Sequence, residues 1–220
     1  MTRFLLPLLA AIALTAASAP RPWTAVATPV ANGSYLIGNP KARVKLVEYV
    51  SYTCPHCAHF TQESEAALGT MVRSGSTSVE YRNQVHDGID LAAATLARCS
   101  GAAAFPRVHA ALFQKQEQWL DRASDWAQGN RDRIASWPQL AQLSAIAEGA
   151  GLTTIARDAG ASSAAISACF ATDAAVKKTL AVSEGTSKVQ GTPAFEINGR
   201  LIQNVGWAQL QPQLRAAGAK

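Results

Sequence analysis

The chain has 220 residues, 48% of them hydrophobic and 16% charged, with a net charge of +5. That much apolar side chain supports a sizeable core and excludes a broadly disordered protein, while the length suits one domain or one domain carrying an insertion. No run of Lys and Arg concentrates the positive charge, so the composition gives no support for nucleic-acid binding.

Met1-Thr2-Arg3 is a short basic start, and Phe4 to Leu14 is an apolar run interrupted only by Pro7. Small residues follow as far as Ala17-Ser18-Ala19, an A-x-A cleavage pattern. The run falls well short of the roughly 20 residues a helix needs to cross a bilayer. Residues 1–19 therefore read as a signal peptide, with a cut after Ala27 as the alternative because Pro20 is an awkward residue to follow one. No cysteine follows the apolar run, which argues against a lipid-modified N-terminus. An exported, periplasmic protein is expected, and an oxidising compartment lets cysteines form disulfides and keep them.

Residues 20–40 are rich in Pro, Ala, Asn and Gly with little periodicity, and read as a linker or a loosely docked arm. Val44 to Val50 reads as a strand, with Val44, Leu46, Glu48 and Val50 on one face and Lys45, Val47 and Tyr49 on the other. Cys54-Pro55 opens a helix, since proline suits the first helical position, where its missing N–H would be unpaired anyway. Cys57, Phe60, Ala67, Leu68 and Met71 continue it at helical spacing. Ser78 to Arg82 is a second strand. From about Asp90 to Gln190 the strand signal almost vanishes and alanine-rich helices take over. They run through Leu91 to Cys99, Phe105 to Phe113, Pro138 to Glu148 (closed by Gly149 and Gly151), and around Ala164 to Phe170 and Ala174 to Ser187. Strand signal returns at Pro193 to Ile197 and Arg200 to Ile202, which flank Asn198-Gly199, a strong hairpin signal. Trp207, Leu210 and Leu214 mark a final helix that Pro212 must kink or delay. This order predicts an α/β sheet layered with helices: a first half over 41–89, a helical insertion over 90–190 and a second half over 191–220.

The four cysteines comprise a tight pair and two that stand far apart. Cys54 sits at a helix N-terminus, where unpaired N–H groups and the helix dipole favour a thiolate, and a protonated His56 adds to the same effect. A free thiol titrates near 8.5; reaching about 4 takes roughly 6 kcal/mol, of which the dipole supplies about 2 at best. His56 and N–H to sulfur hydrogen bonds must provide the remainder. Cys57, one turn deeper, is the more buried partner. Cys99 and Cys169 each follow apolar positions at helical spacing; export permits a bond between them, and two buried free thiols are the alternative. His59 adds a zinc-type ligand to the pair, but a fourth ligand is missing and no metal is expected. His86 and His109 read as ordinary surface or core histidines, and Trp119, Trp126 and Trp137 as packing residues.

Cys54-Pro55-His56-Cys57 after a strand, with Gly191-Thr192-Pro193 before a later one, resembles the DsbA-like branch of the thioredoxin superfamily from about Val44 to the C-terminus, insertion included. The resemblance implies a thioredoxin-like fold and a cis Pro193 beside the cysteine pair, with the Thr192 backbone turned toward a substrate strand. It also implies that Glu48, on a face otherwise made of Val and Leu, is the family's buried acid beneath the cysteines and helps to move protons. Pairs like Cys99 and Cys169 are bonded in some members. The implied activity is thiol–disulfide oxidoreduction without a cofactor, on exported client proteins, with reoxidation by a membrane quinone-linked oxidase of the DsbB type. An isomerase or reductase, or a chaperone-like binding module, are the alternatives. Pro55-His56 is the dipeptide of the strongly oxidising branch, whereas threonine before the cis proline is more typical of isomerases and reductases. Isomerases of this superfamily generally dimerise through an N-terminal domain, and the about 20 residues between the cleavage region and the first strand are too few for one, so a monomeric oxidase is expected.

Overall fold

A computed structural model describes residues 22–25 and 27–220, so the signal-peptide reading lies outside the described residues. Among these, no helix is long and apolar enough to cross a membrane.

The segment 20–40 departs from the linker expected of it. Strand β1 (Ala27–Pro29) and strand β2 (Tyr35–Gly38) form a hairpin, and β2 pairs antiparallel with Ser78 to Tyr81. Strands of three and four residues are too short for alternation to register in the sequence. Pro29 lies on the edge strand, where a missing N–H is tolerated. The Ser34 hydroxyl donates to the Glu80 carboxylate at 2.5 Å and ties the hairpin turn to the sheet.

Strand β3 (Val44–Val50) is followed by helix α1 (Pro55–Arg73) and strand β4 (Thr77–Asn83), and β3 and β4 are parallel. After the insertion, β5 (Ala194–Ile197) and β6 (Arg200–Ile202) form the second hairpin, completing a six-stranded sheet of order β1-β2-β4-β3-β5-β6. Asn198 and Gly199, with φ of 50° and 86°, supply the two left-handed residues this tight turn requires. Helix α9 (Trp207–Ala217) begins five residues before Pro212 and continues past it, so the proline does not delay the helix. The missing N–H leaves the carbonyl one turn earlier without its helical partner. The β3 face bearing Val44, Leu46 and Val50 belongs to the main core with α1, while Val47 and Tyr49 on the other face pack with Val189 and Ala194.

Between β4 and β5 lie α2 (Gly88–Cys99), α3 (Phe105–Gln114), α4 (Gln116–Ile134), α5 (Gln139–Gly149), α6 (Leu152–Asp158), α7 (Ser163–Ala168) and α8 (Ala174–Glu184). Helix α2 is the axis of this block: Ala92, Ala93, Ala94 and Ala97 are wholly buried, and their small side chains let α5 and α8 pack close. Helices α4 and α6 were not expected from the pattern. In α4 only Gln116, Trp119, Ala123 and Ile134 are buried, too sparse an apolar stripe to read against a polar background.

Cys99 at the end of α2 is bonded to Cys169 just after α7, with Cα atoms 5.6 Å apart across 70 residues of chain. The chain-entropy model gives about 4 kcal/mol for closing a loop of this length. Cys99→Ala with Cys169→Ala is therefore expected to lower the urea midpoint by an amount worth about 4 kcal/mol. A midpoint equal to the parent's would remove the bond from the account of stability.

Candidate active site

β3 ends at Val50, and Ser51-Tyr52-Thr53 turns the chain into α1, whose N-cap is Cys54 and whose first residue is Pro55. Cys54 has extended backbone angles, φ −82° and ψ 117°, so its side chain stands at the mouth of the helix rather than along its flank. Cys57 lies one turn in. Both are free thiols; Cys57 is fully buried and Cys54 is 8% exposed.

The Thr192–Pro193 peptide is cis and lies across from this turn. The Cys54 thiol donates to the Thr192 carbonyl at 3.2 Å. The Thr192 hydroxyl is buried without a hydrogen-bond partner, and it favours the ionised form of both neighbouring sulfurs. A thiolate on Cys54 is the acceptor this hydroxyl otherwise lacks. A cleft of about 350 Å³ opens beside the pair, lined by His56, Phe60, Thr192, Pro193 and Val205 among others. Phe60 and Val205 escape sequence reasoning because both read as ordinary core residues.

The two thiols are pushed in opposite directions. Cys54 is lowered to about 5, chiefly by the hydrogen bond from the Cys57 thiol; burial opposes this, and Thr192 and the backbone N–H groups of Cys57 and His56 add to it. Cys57 is driven far up, first by burial and then by the sulfur of Cys54 beside it. At neutral pH the pair carries one proton, held on Cys57, and one negative charge, on Cys54. The balance drawn from the sequence is redistributed. His56 contributes through its backbone N–H while its imidazole is exposed, and the largest contribution is the neighbouring thiol.

Glu48 is 2% exposed on the α1 face of β3, between Tyr81 of β4 and Phe195 of β5. Its Oε1 has no hydrogen-bond partner, and burial raises its carboxyl to about 8, so it holds a proton at neutral pH. His59 is exposed and pairs with Glu63 at 3.3 Å. His109 is buried with its Nδ1 against the Tyr52 hydroxyl at 2.9 Å, and burial lowers it to about 3. The fold thus gathers Cys54, Cys57, His56, Thr192 and Pro193 at one helix mouth, sets Glu48 on the adjoining strand, and keeps the Cys99–Cys169 bond in the insertion.

A sheet whose parallel pair feeds a helix-capping Cys-Pro-His-Cys dithiol, faced by a cis proline, defines a thioredoxin-type dithiol protein. The chain belongs to the thioredoxin family: the family profile, described as Thioredoxin, matches residues 31–216. A Rickettsia typhi protein assigned by name to the protein-disulfide oxidoreductases is 29% identical over 186 residues, covering 82% of this chain and 60% of that protein. A Rickettsia prowazekii protein of the same name is 27% identical over the same shares. The chain therefore spans about three fifths of the length of these curated relatives. The crystal structure of a protein-disulfide isomerase from Novosphingobium aromaticivorans is 35% identical, with a TM-score of 0.76, covering 85% of this chain and 98% of that one. Wolbachia pipientis α-DsbA1, at 19% identity and a TM-score of 0.60 over 86% of this chain and 92% of that one, shares the fold. The thioredoxin-like α/β fold with inserted helices, implied by the cysteine and proline motifs, is the fold observed.

Proposed function

We propose that this protein is an exported, periplasmic thiol–disulfide oxidoreductase that introduces disulfide bonds into other exported proteins at Cys54-Pro55-His56-Cys57. The observation that carries this reading is the asymmetry of the pair, an acidic Cys54 at the helix mouth and a buried Cys57 that keeps its proton. In the oxidised protein a client thiolate attacks Cys54 Sγ. The Cys54–Cys57 bond breaks, its electron pair leaves on Cys57, and Cys57 takes up a proton. Glu48, protonated at neutral pH, is the proposed source of that proton. A second client thiolate then attacks the client sulfur of the mixed disulfide and expels Cys54 as a thiolate. The client has lost two electrons and gained a disulfide; this protein holds the electrons as one thiol and one thiolate.

Stabilising the departing Cys54 thiolate favours the reduced form and makes the disulfide a stronger oxidant. The cleft at Thr192 and Pro193 is the proposed seat of the client chain. A membrane quinone-linked DsbB-type oxidase as electron acceptor, operation without a cofactor and a monomeric state belong to the same proposal.

Two observations favour disulfide isomerisation as a second reading: the Thr192 hydroxyl beside the sulfurs, and the isomerase name of the Novosphingobium relative. Reduced and scrambled client proteins supplied in parallel separate the two. Net oxidation of the reduced client is expected to outpace reshuffling of the scrambled one. Rapid reshuffling with little oxidation would make the protein an isomerase, and equal benefit from a Cys54→Ser protein would make it a binding module.

A further inference from the structure

Tyr52, wholly buried two residues before Cys54, has every polar group held by a side chain of the helical insertion. Its N–H donates to Asp90 Oδ1 at 2.8 Å, its C=O accepts from Gln116 Nε2 at 2.8 Å, and its hydroxyl meets His109 Nδ1 at 2.9 Å. Asp90 stands in the first turn of α2, His109 on α3, and Gln116 opens α4. The same Gln116 amide donates to the Cys54 carbonyl at 2.9 Å, and Asp90 Oδ2 accepts from the Ser51 hydroxyl at 2.7 Å. All three insertion side chains are buried.

We propose that Asp90, His109 and Gln116 are positioning residues, through which the insertion holds the Ser51–Cys54 turn so that the Cys54 sulfur stays at the α1 mouth and against Thr192. The turn's own hydrogen bonds are long: Cys54 N–H to the Ser51 carbonyl and Thr53 N–H to the Ser51 hydroxyl are both 3.3 Å. The bonds from the insertion, at 2.7 to 2.9 Å, are the well-formed ones. Pro55 has no N–H to brace the turn, and the first helical bonds to the Cys54 carbonyl are 3.1 and 3.4 Å. Gln116 adds a third donor to that carbonyl and so fixes the peptide plane leading into the helix. Without it, the buried Tyr52 carbonyl loses its partner and the Cys54 carbonyl keeps only its two helical donors, so the turn is driven to shift until the Tyr52 carbonyl regains a donor.

The groups that set the acidity of Cys54 are the Cys57 thiol, Thr192, and the N–H groups of Cys57 and His56. None belongs to the insertion, and Gln116 carries no charge. Gln116 is not among these groups, so a Gln116 substitution reaches the thiolate chiefly by moving the turn.

The inference rests on Cys54 being the reactive thiol. Its test is the ultraviolet thiolate absorbance of the reduced protein against pH, for the parent, Gln116→Met (equal in length but without donors) and Tyr52→Phe (which releases only the His109 tie). Gln116→Met is expected to move the Cys54 midpoint up by about one pH unit, tenfold in proton concentration, and Tyr52→Phe by less in the same direction. A merely structural role would lower thermal stability and leave the titration in place, and midpoints equal to the parent's in both variants would overturn the proposal. If Gln116→Met does not fold, Tyr52→Phe decides alone by the same criterion. A parent Cys54 that titrates as an ordinary thiol would overturn the functional reading itself, and this inference with it.

Discussion

Glu48→Gln is expected to gain stability relative to the parent protein, progressively, as the pH rises from about 4.5 to about 8. Burial raises the folded-state value of this carboxyl from 4.5 to about 8, so across that window the folded protein keeps a proton that the unfolded chain has released. The group therefore contributes its full share of stability below the unfolded value, loses it progressively up to the folded value, and changes nothing further above it. A difference of this size corresponds to at most about 5 kcal/mol, lost over the whole window. Gln is neutral throughout and of the same shape, so the variant should match the parent near pH 4 and exceed it at pH 8. Denaturant titrations at several pH values give the comparison directly. Parallel curves for the two proteins would mean that Glu48 is ionised in the fold, and it would then have no proton to give to Cys57.

Cys54→Ser is expected to reduce oxidation of a cysteine-containing client to the uncatalysed rate, while Cys57→Ser should accumulate mixed disulfides. The two changes differ because the sulfurs do. Cys54 is the less deeply buried one, at the helix mouth, with N–H groups and the Thr192 hydroxyl placed to stabilise its charge. Cys57 is sealed beneath it, and these two are the free cysteines among the described residues. Given a disulfide-bonded client, the Cys54 thiolate of the Cys57→Ser protein attacks one client sulfur and expels the other as a thiolate. No second thiol within the protein can then displace the client, so the mixed disulfide persists once the expelled client thiolate is alkylated and is visible on a non-reducing gel. The parent should also alkylate with a pH dependence centred near 5, well below an ordinary thiol. A midpoint at about 8.5 would remove the activated thiolate from the mechanism.

The chemistry was legible because its parts lie within one helical turn or one hairpin. Cys54, Pro55 and Cys57 carry their own geometry: proline starts a helix, the cysteine before it caps that helix, and the next cysteine faces the same way a turn later. Val44 to Val50 alternates as a strand should, and Asn198-Gly199 names its own turn. The apolar neighbours of Glu48 on that strand already pointed inward. For Cys99 and Cys169 the sequence permitted either a bond or two buried thiols, and only the approach of α2 and α7 brings their Cα atoms to 5.6 Å.

What determined the setting of the site was not written locally. The β1–β2 hairpin is too short to show a period, and α4 buries too few residues to show a stripe. The ties from Tyr52 to Asp90, His109 and Gln116 span 38, 57 and 64 residues. An Asp, a His or a Gln on a helix has the same appearance in sequence whether it faces water or a buried carbonyl, because a polar side chain leaves no periodic trace of its partner. The sequence by itself determined which two cysteines stand at the head of α1, through contacts a few residues apart. Only the packing of the insertion against the Ser51–Cys54 turn decided how those sulfurs are held, since hydrogen bonds between distant segments exist only once the chain has folded.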